Sequence, residues 1–290
     1  MHTPVLLSET LSQLNIKPKG QYLDCTGGGG GHAFEIWKHL NEEGTLHICD
    51  CHKESFEGLK KKFLSKKNVF VHRERFSLIF DNLALFFDGI LADFGVSSEQ
   101  LDHDKTGISF LQNDLALDMR LDDRLQKTAK DFLRQASETE LADIFFHYGG
   151  ERAARKIARA IVSDRKLKKF YETTTGLREL CERVLGKFYR KKKIHPATKV
   201  FQALRIAVNQ ELEEIKTFLK KAPRTLKKGG RLVAISFHEG EDRLVKTAFK
   251  ELALTKEFLL PVKKVVRPSF EEIKGNPRAR SAKLRVLEKT

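Results

Sequence analysis

Hydrophobic and polar positions follow two different rhythms along this chain. Between residues 21 and 93, short apolar runs alternate with stretches of helical spacing. Gln21–Asp24 predicts a strand that runs straight into five consecutive glycines, and His32–Leu40 predicts the next helix. Thr45–Asp50 predicts a second strand, Ser55–Leu64 a helix with a lysine-rich outer face, and Asn68–His72 a third short strand. Phe87–Asp93 predicts a fourth, apolar and then acidic at its end. Strands alternating with helices imply an α/β fold with a mostly parallel sheet covered on both faces. Ligands of such sheets bind beyond the carboxyl ends of the strands. Asp24, Asp50 and Asp93 fall at those ends and are expected to line one crevice.

The second rhythm is helical throughout. Ala129–Ala136, Glu138–His147, Ala153–Ser163 and Thr175–Val184 are amphipathic at the 3.6-residue period, with no convincing strand among them. Residues 103–195 therefore read as an inserted helical domain. A discontinuous core is left, formed by residues 1–102 and 196–290. Ala197–Leu219 predicts one long helix with Val200, Leu204, Val208 and Ile215 on its apolar stripe, and Gly229-Gly230 reads as the end of that unit. Arg231–Phe237 predicts a strand and Asp242–Leu252 a helix. Lys263–Val266 and Lys283–Leu287 predict a closing antiparallel pair.

Charge adds a partner to this picture. The 290 residues carry 54 Lys and Arg against 39 Asp and Glu, a net charge of +15. That surplus favours a polyanion, because each phosphate neutralised releases bound counterions. No run of 18 apolar residues exists, since Asp88 and Asp93 interrupt the longest apolar stretch, so no membrane partner is expected. The N-terminus lacks the pattern of a secretory signal. Cys25, Cys49, Cys51 and Cys181 form no CxxC pair, which fits reduced thiols and a cytoplasmic protein. Cys49, Cys51 and His52 lack a second cluster to complete a four-ligand site, so no metal is expected.

The chemistry concentrates in Asp24-Cys25-Thr26-Gly27-Gly28-Gly29-Gly30-Gly31-His32. A glycine run lets the backbone approach a ligand closely and adopt positive φ. A dinucleotide would bring an anionic pyrophosphate, which disfavours nearby carboxylates. S-adenosylmethionine brings a sulfonium and an ammonium, which Asp24 and Asp93 suit. A carboxylate at Asp50 accepts hydrogen bonds from a ribose diol in either cofactor class, and a helix cap is its structural alternative. No Walker sequence is present. An NAD-dependent oxidoreductase remains the rival enzyme, and an RNA-binding ribosome-assembly factor without catalysis is the rival from another class.

From Asp88 to Asp102 the chain reads DGILADFGVSSEQLD, with Asp93 at the strand exit and Ser97, Ser98 and Gln100 just beyond it. Here, and over nearly the whole length, the sequence resembles the bacterial 16S ribosomal RNA cytosine-N4 methyltransferases of the MraW type. The resemblance rests on His2–Leu7 with Glu9, the glycine loop, the Asp93–Gln100 turn, Gly107–Phe110 and Leu117–Arg120. It continues through Tyr148–Arg152, Ile157–Ile161, His195–Thr198, Phe201–Asn209, Ile235–His238, Glu241–Arg243 and Asn276–Arg285. It implies a class I methyltransferase (Rossmann-like) core with a helical insertion and S-adenosylmethionine as donor. It also implies a decoding-region cytosine of the small ribosomal subunit as acceptor. Donor contacts then fall on Gly30, Gly31, His32, Asp50, Phe76, Asp93 and Gln100, with Phe76 against the adenine or serving as plain core. Gly27, Gly150 and His238-Glu239-Gly240-Glu241 depart from the family pattern.

A cytosine N4 amine is a poor nucleophile, and an acceptor for its N–H would raise its electron density. The Asp/Ser/Asn-Pro-Pro-Tyr motif common in DNA amine methyltransferases is absent. Asp93, Asp118, His195 and Asn209 are the candidate acceptors. Asp118 is preferred, and a salt bridge to Arg120 or Arg124 is its structural alternative. Lys166–Lys169, Arg190–Lys193 and a C-terminal stretch of Arg278, Arg280, Lys283 and Arg285 are expected to meet phosphate.

Overall fold

The computed structural model describes residues 4–96, 101, 105–190 and 194–290. The chain divides into two compact units, one of residues 1–97 with 212–290 and one of residues 98–211.

The first unit is a seven-stranded sheet of order β3-β2-β1-β4-β5-β7-β6. Its strands are β1 (Gln21–Asp24), β2 (Thr45–Cys49), β3 (Val69–His72), β4 (Phe87–Asp93), β5 (Leu226–Ser236), β6 (Phe258–Leu259) and β7 (Lys283–Lys289). The first five run parallel, and β7 pairs antiparallel with both β5 and β6. Alternation along each strand feeds two cores. Leu23, Ile90, Ala92, Leu232 and Ala234 face one, and Tyr22, Leu46, Ile48, Leu91, Val233 and Ile235 face the other. The second core is closed by α1 (Leu7–Leu14), α2 (Gly31–Lys38) and α3 (Lys53–Lys62) through Leu14, Ala33, Ile36 and Leu59.

The predicted antiparallel pair is only partly formed. β7 pairs with β5, while Val266 contributes one isolated bridge to Leu284. Gly229 and Gly230 do not end a unit; they lie inside β5. The β4–β5 register shifts there, from Phe87↔Leu226 to Gly89↔Arg231. A Cβ on Gly230 would lie 2.8 Å from the carbonyl oxygens of Lys227 and Phe87, so the irregularity requires glycine.

The second unit is helical. It holds α5 (Ala129–Gln135), α6 (Glu138–Asp143) running on into a π-helical turn (Ile144–Tyr148), α7 (Ala154–Lys166), α8 (Thr174–Tyr189) and α9 (Ala197–Asn209). The short α4 (Ile79–Asn82) belongs to the first unit. Thr128 and Ser137 cap α5 and α6 with reciprocal capping boxes. The single long helix expected over 197–219 is broken at Gln210, which adopts φ 54°. A separate helix, α10 (Glu211–Lys221), starts after the break, and its residues from Leu212 onward group with the sheet. The contact boundary thus falls at 211, and α9 groups with the helices before it. Within the first unit, α11 (Glu239–Leu254) and α12 (Phe270–Gly275) complete the helices.

Candidate functional site

Sheet register explains why the three carboxylates converge. Asp24, the last residue of β1, pairs with Ile48 on one side and Leu91 on the other. Asp50 and Asp93 lie two residues further along the flanking strands, on the same face. The chain leaving β1 therefore passes between them. Gly27 N donates to Cys49 O and Gly28 N donates to Asp50 Oδ2 at 2.7 Å. On the other side, Thr26 Oγ1 accepts from Asp93 N at 2.7 Å. Asp24 sits underneath, 1% exposed, and its Oδ1 accepts from Thr26 N at 3.1 Å. Asp24 thus supports the loop from behind.

Burial raises all three acids, and acidic neighbours add to it at Asp24 and Asp93. Asp24 is pushed up to about 7, by desolvation first and by Asp50 in lesser part. Asp50 is raised by desolvation against the N–H groups of His52 and Gly28. Asp93 is raised well above the usual carboxylate range by desolvation, Asp24 and Glu241. Its Oδ1 is buried and has no hydrogen-bond partner among the described residues. A buried, unpaired carboxylate oxygen beside two further acids is costly unless a cation completes it. S-adenosylmethionine carries its positive charges on the ammonium and sulfonium, so the residues fit that donor. Asp93 and the exposed backbone of the loop would hold its charged end, and Asp50 its ribose.

His32 is 7% exposed and held neutral, its pKa lowered to about 4 by desolvation. Its Nε2 carries the proton and donates to Val5 O at 3.0 Å, so Nδ1 is a lone pair 3.8 Å from Asp93 Oδ2. The glycines are partly explained by packing. Gly30 adopts φ +71°, and a Cβ there would lie 2.8 Å from Leu59; one on Gly31 would lie 2.4 Å from Pro4. Lys62 Nζ donates to the carbonyls of Gly29 and Gly30 at 2.8 and 2.9 Å and fixes the rim of the loop. Phe76 is half-buried, its ring 5.6 Å from Phe94 and 5.8 Å from Phe218. Gln100, Ser97 and Ser98 lie outside the described residues.

The profile of the MraW methylase family matches residues 1–290. The chain belongs to the MraW methylase family. It is a methyltransferase, and its methyl donor is S-adenosylmethionine. Among its relatives is the ribosomal RNA small subunit methyltransferase H of Cyanothece sp., 45% identical over 290 residues, which span 100% of this chain and 95% of that protein. Those of Trichodesmium erythraeum and Fusobacterium nucleatum are 45% and 42% identical. Their alignments span 99% of this chain in both cases, and 99% and 96% of the relatives. The crystal structure of a candidate rRNA methylase from Clostridium thermocellum shares the fold, at 12% identity, full coverage of both chains and a TM-score of 0.51.

Thr26 and Glu241 of this MraW-family chain lay in motifs of the sequence but carried no assigned role there, and Lys62 was not singled out. Glu241 is 1% exposed, and its Oε2 accepts from Phe237 N and His238 N, capping α11. Its signal was the S/T-x-x-E-like spacing from His238, obscured because the cap is a histidine. Arg280 is exposed on the 3-10 turn Pro277–Ser281. Lys283 and Arg285, of the same basic stretch, pair with Asp242; Arg285 Nε reaches Asp242 Oδ1 at 2.7 Å and Lys283 Nζ reaches Oδ2 at 3.2 Å.

In the helical unit, Asp118 is held by Arg120 in a two-pronged ion pair, Nε to Oδ1 at 2.6 Å and a terminal nitrogen to Oδ2 at 2.8 Å. Asn209 is 5% exposed and acts as a strut. Its Nδ2 donates to Met119 O and Arg205 O, and its Oδ1 accepts from Leu121 N at 2.7 Å. His195 stacks on Phe110 at 4.9 Å. Its Nδ1 accepts from Ala197 N and its Nε2 faces Glu182 at 3.1 Å. With Leu111 and Arg178 these residues line a cavity of about 290 Å³. No helix among the described residues is long and apolar enough to cross a membrane.

Proposed function

We propose that this methyltransferase modifies the exocyclic N4 amine of a cytosine in the decoding region of 16S ribosomal RNA, with the small ribosomal subunit as its partner. The observation that carries the reading is the unpaired, buried Asp93 Oδ1 at the exit of β4. The relatives' names support ribosomal RNA of the small subunit as the substrate, and the +15 charge suits it.

The bound donor supplies an electrophilic methyl carbon on a sulfonium. Forming the N4–CH3 bond as the S–CH3 bond breaks leaves a proton to be taken from nitrogen. Four side chains are candidate acceptors. The amide of Asn209 is spent on the Met119–Leu121 backbone, Asp118 is occupied by Arg120, and His195 is engaged at both nitrogens. Asp93 Oδ1 has no hydrogen-bond partner among the described residues, and desolvation, Asp24 and Glu241 raise its pKa above the usual carboxylate range. These contacts favour Asp93 over Asp118 as the acceptor. The enzyme's remaining contribution is to hold nitrogen and methyl carbon close and in line, with the base unstacked from its neighbours.

The test is mass mapping of small-subunit RNA from cells with and without this gene. One N4-methylcytosine should be lost, restored by wild type and not by Asp93→Ala. A methyl group lost from another base or another atom would overturn the reading.

A further inference from the structure

We propose that the outer face of α7, with the last turn of α8, is a docking track for the phosphate backbone of the RNA. The proposal rests on the ribosomal RNA reading above and adds where on the helical unit the strand lies.

Residues 152–199 contain sixteen Lys and Arg against four Asp and Glu, so twelve of the fifteen net positive charges of the chain arise there. α7 buries Ala154, Ile157, Ala158 and Ile161 and turns Arg155 and Lys156 outward, next to Arg152 in the turn before it. These three cations crowd the N-terminal end of α7, where the helix dipole and one another's charge disfavour them. Neighbouring basic residues have acidic partners, as Arg159 has Glu138 and Arg183 has Asp164. Arg152 and Arg155 have none among the described residues, and Lys156 lies 4.4 Å over the ring of Phe188. Phe188 is itself 46% exposed. A surface kept only for solubility needs neither unpaired repulsion nor an exposed aromatic. A nucleic-acid strand uses both, the cations for phosphate and the ring for a base.

The track is also stiff. Buried Glu151 accepts a hydrogen bond from Tyr189 Oη and another from Ala153 N at 2.8 Å. The start of α7 is thereby fixed to the end of α8, so the cations and Phe188 keep their spacing without a strand present. Pre-set geometry of this kind lowers the ordering cost of binding.

The experiment compares Arg155→Ala/Lys156→Ala with wild type and with Lys246→Ala/Lys250→Ala, an exposed pair on α11. Small subunits from cells lacking the gene serve as substrate, across a range of salt. The α7 variant should lower the slope of log affinity against log salt by about 1.5, from roughly 0.7 to 0.9 per lost phosphate contact. The KM for subunits should rise about tenfold, with kcat at saturation and donor affinity unchanged. The α11 pair should match wild type. A slope and KM equal to wild type, or an equal fall in both variants, would overturn the track. So would lost binding to anionic lipid vesicles with RNA binding intact. If wild-type enzyme leaves small-subunit RNA unmethylated, the ribosomal reading itself falls, and the track with it.

Discussion

Thr26 Oγ1 accepts the backbone N–H of Asp93 at 2.7 Å, so the residue that opens the glycine loop also pins the end of β4. The same hydroxyl lies 3.5 Å from Asp24 Oδ1. One side chain thus joins the two central strands at the point where their connections diverge, the usual place for a ligand in such sheets.

Thr26→Val keeps the shape and removes the acceptor. It leaves the Asp93 N–H unsatisfied, at a cost of about 1–3 kcal/mol. Donor affinity measured by calorimetry should fall about tenfold and Tm should drop, while Thr26→Ser should recover both. Equal donor binding by the valine variant would show that the tie is dispensable.

The acid cluster sets a pH dependence of stability. Asp24 is raised from 3.8 to about 7 in the folded protein, so the fold binds its proton more tightly than the unfolded chain does. Its contribution is fully present below about pH 4 and is lost as pH rises through 7. Asp50 and Asp93 act in the same direction. Thermal melts of the donor-free protein should therefore show Asp24→Asn more stable than wild type at pH 8, by several degrees, with the difference vanishing near pH 4.

Two histidines oppose this trend. His32 and His47 are both lowered to about 4, chiefly by desolvation, and His47 also by His72. The unfolded chain takes up protons near 6.5 that the folded chain refuses, so these groups cost stability as pH falls from 6.5 toward 4. His47→Phe replaces a ring stacked 5.0 Å from Phe70, and it should flatten the loss over that window in a pH series of melts.

Much of this was legible in the sequence, for identifiable reasons. β1 and β4 have the bounds their apolar runs predict, because glycines and acids terminate them sharply. The three carboxylates were placed at strand ends from the pattern alone. The break at Gln210 was not visible, since both flanking helices keep an apolar stripe and no Gly or Pro marks the residue with φ 54°. Gly229-Gly230 looked like a helix cap because a strand irregularity and a cap call for the same residue type. Asn209 carried a chemistry-bearing side chain whose partner Leu121 only the fold reveals, whereas the Arg120 salt bridge of Asp118 was legible as the structural alternative from their spacing.

Asn209 separates a strut from a substrate contact. Asn209→Ala leaves Leu121 N–H and Met119 O without their partner, at about 1–3 kcal/mol for each buried group. Denaturant unfolding should show that loss of stability, with kcat retained in the fraction that stays folded. A fully stable variant with a collapsed kcat would return Asn209 to the reacting base.

The central claim is that the Asp93 carboxylate, its pKa raised by burial and then by Asp24 and Glu241, is completed by the positive charge of the donor. Calorimetric titration of S-adenosylmethionine at pH 7, in two buffers of different ionisation enthalpy, tests it directly. Wild type should release protons on binding, because a cation lowers the raised carboxylate pKa values, and Asp93→Asn should bind at least about tenfold more weakly, roughly 1.4 kcal/mol. Proton-free binding by wild type, together with unchanged affinity in Asp93→Asn, would contradict the account.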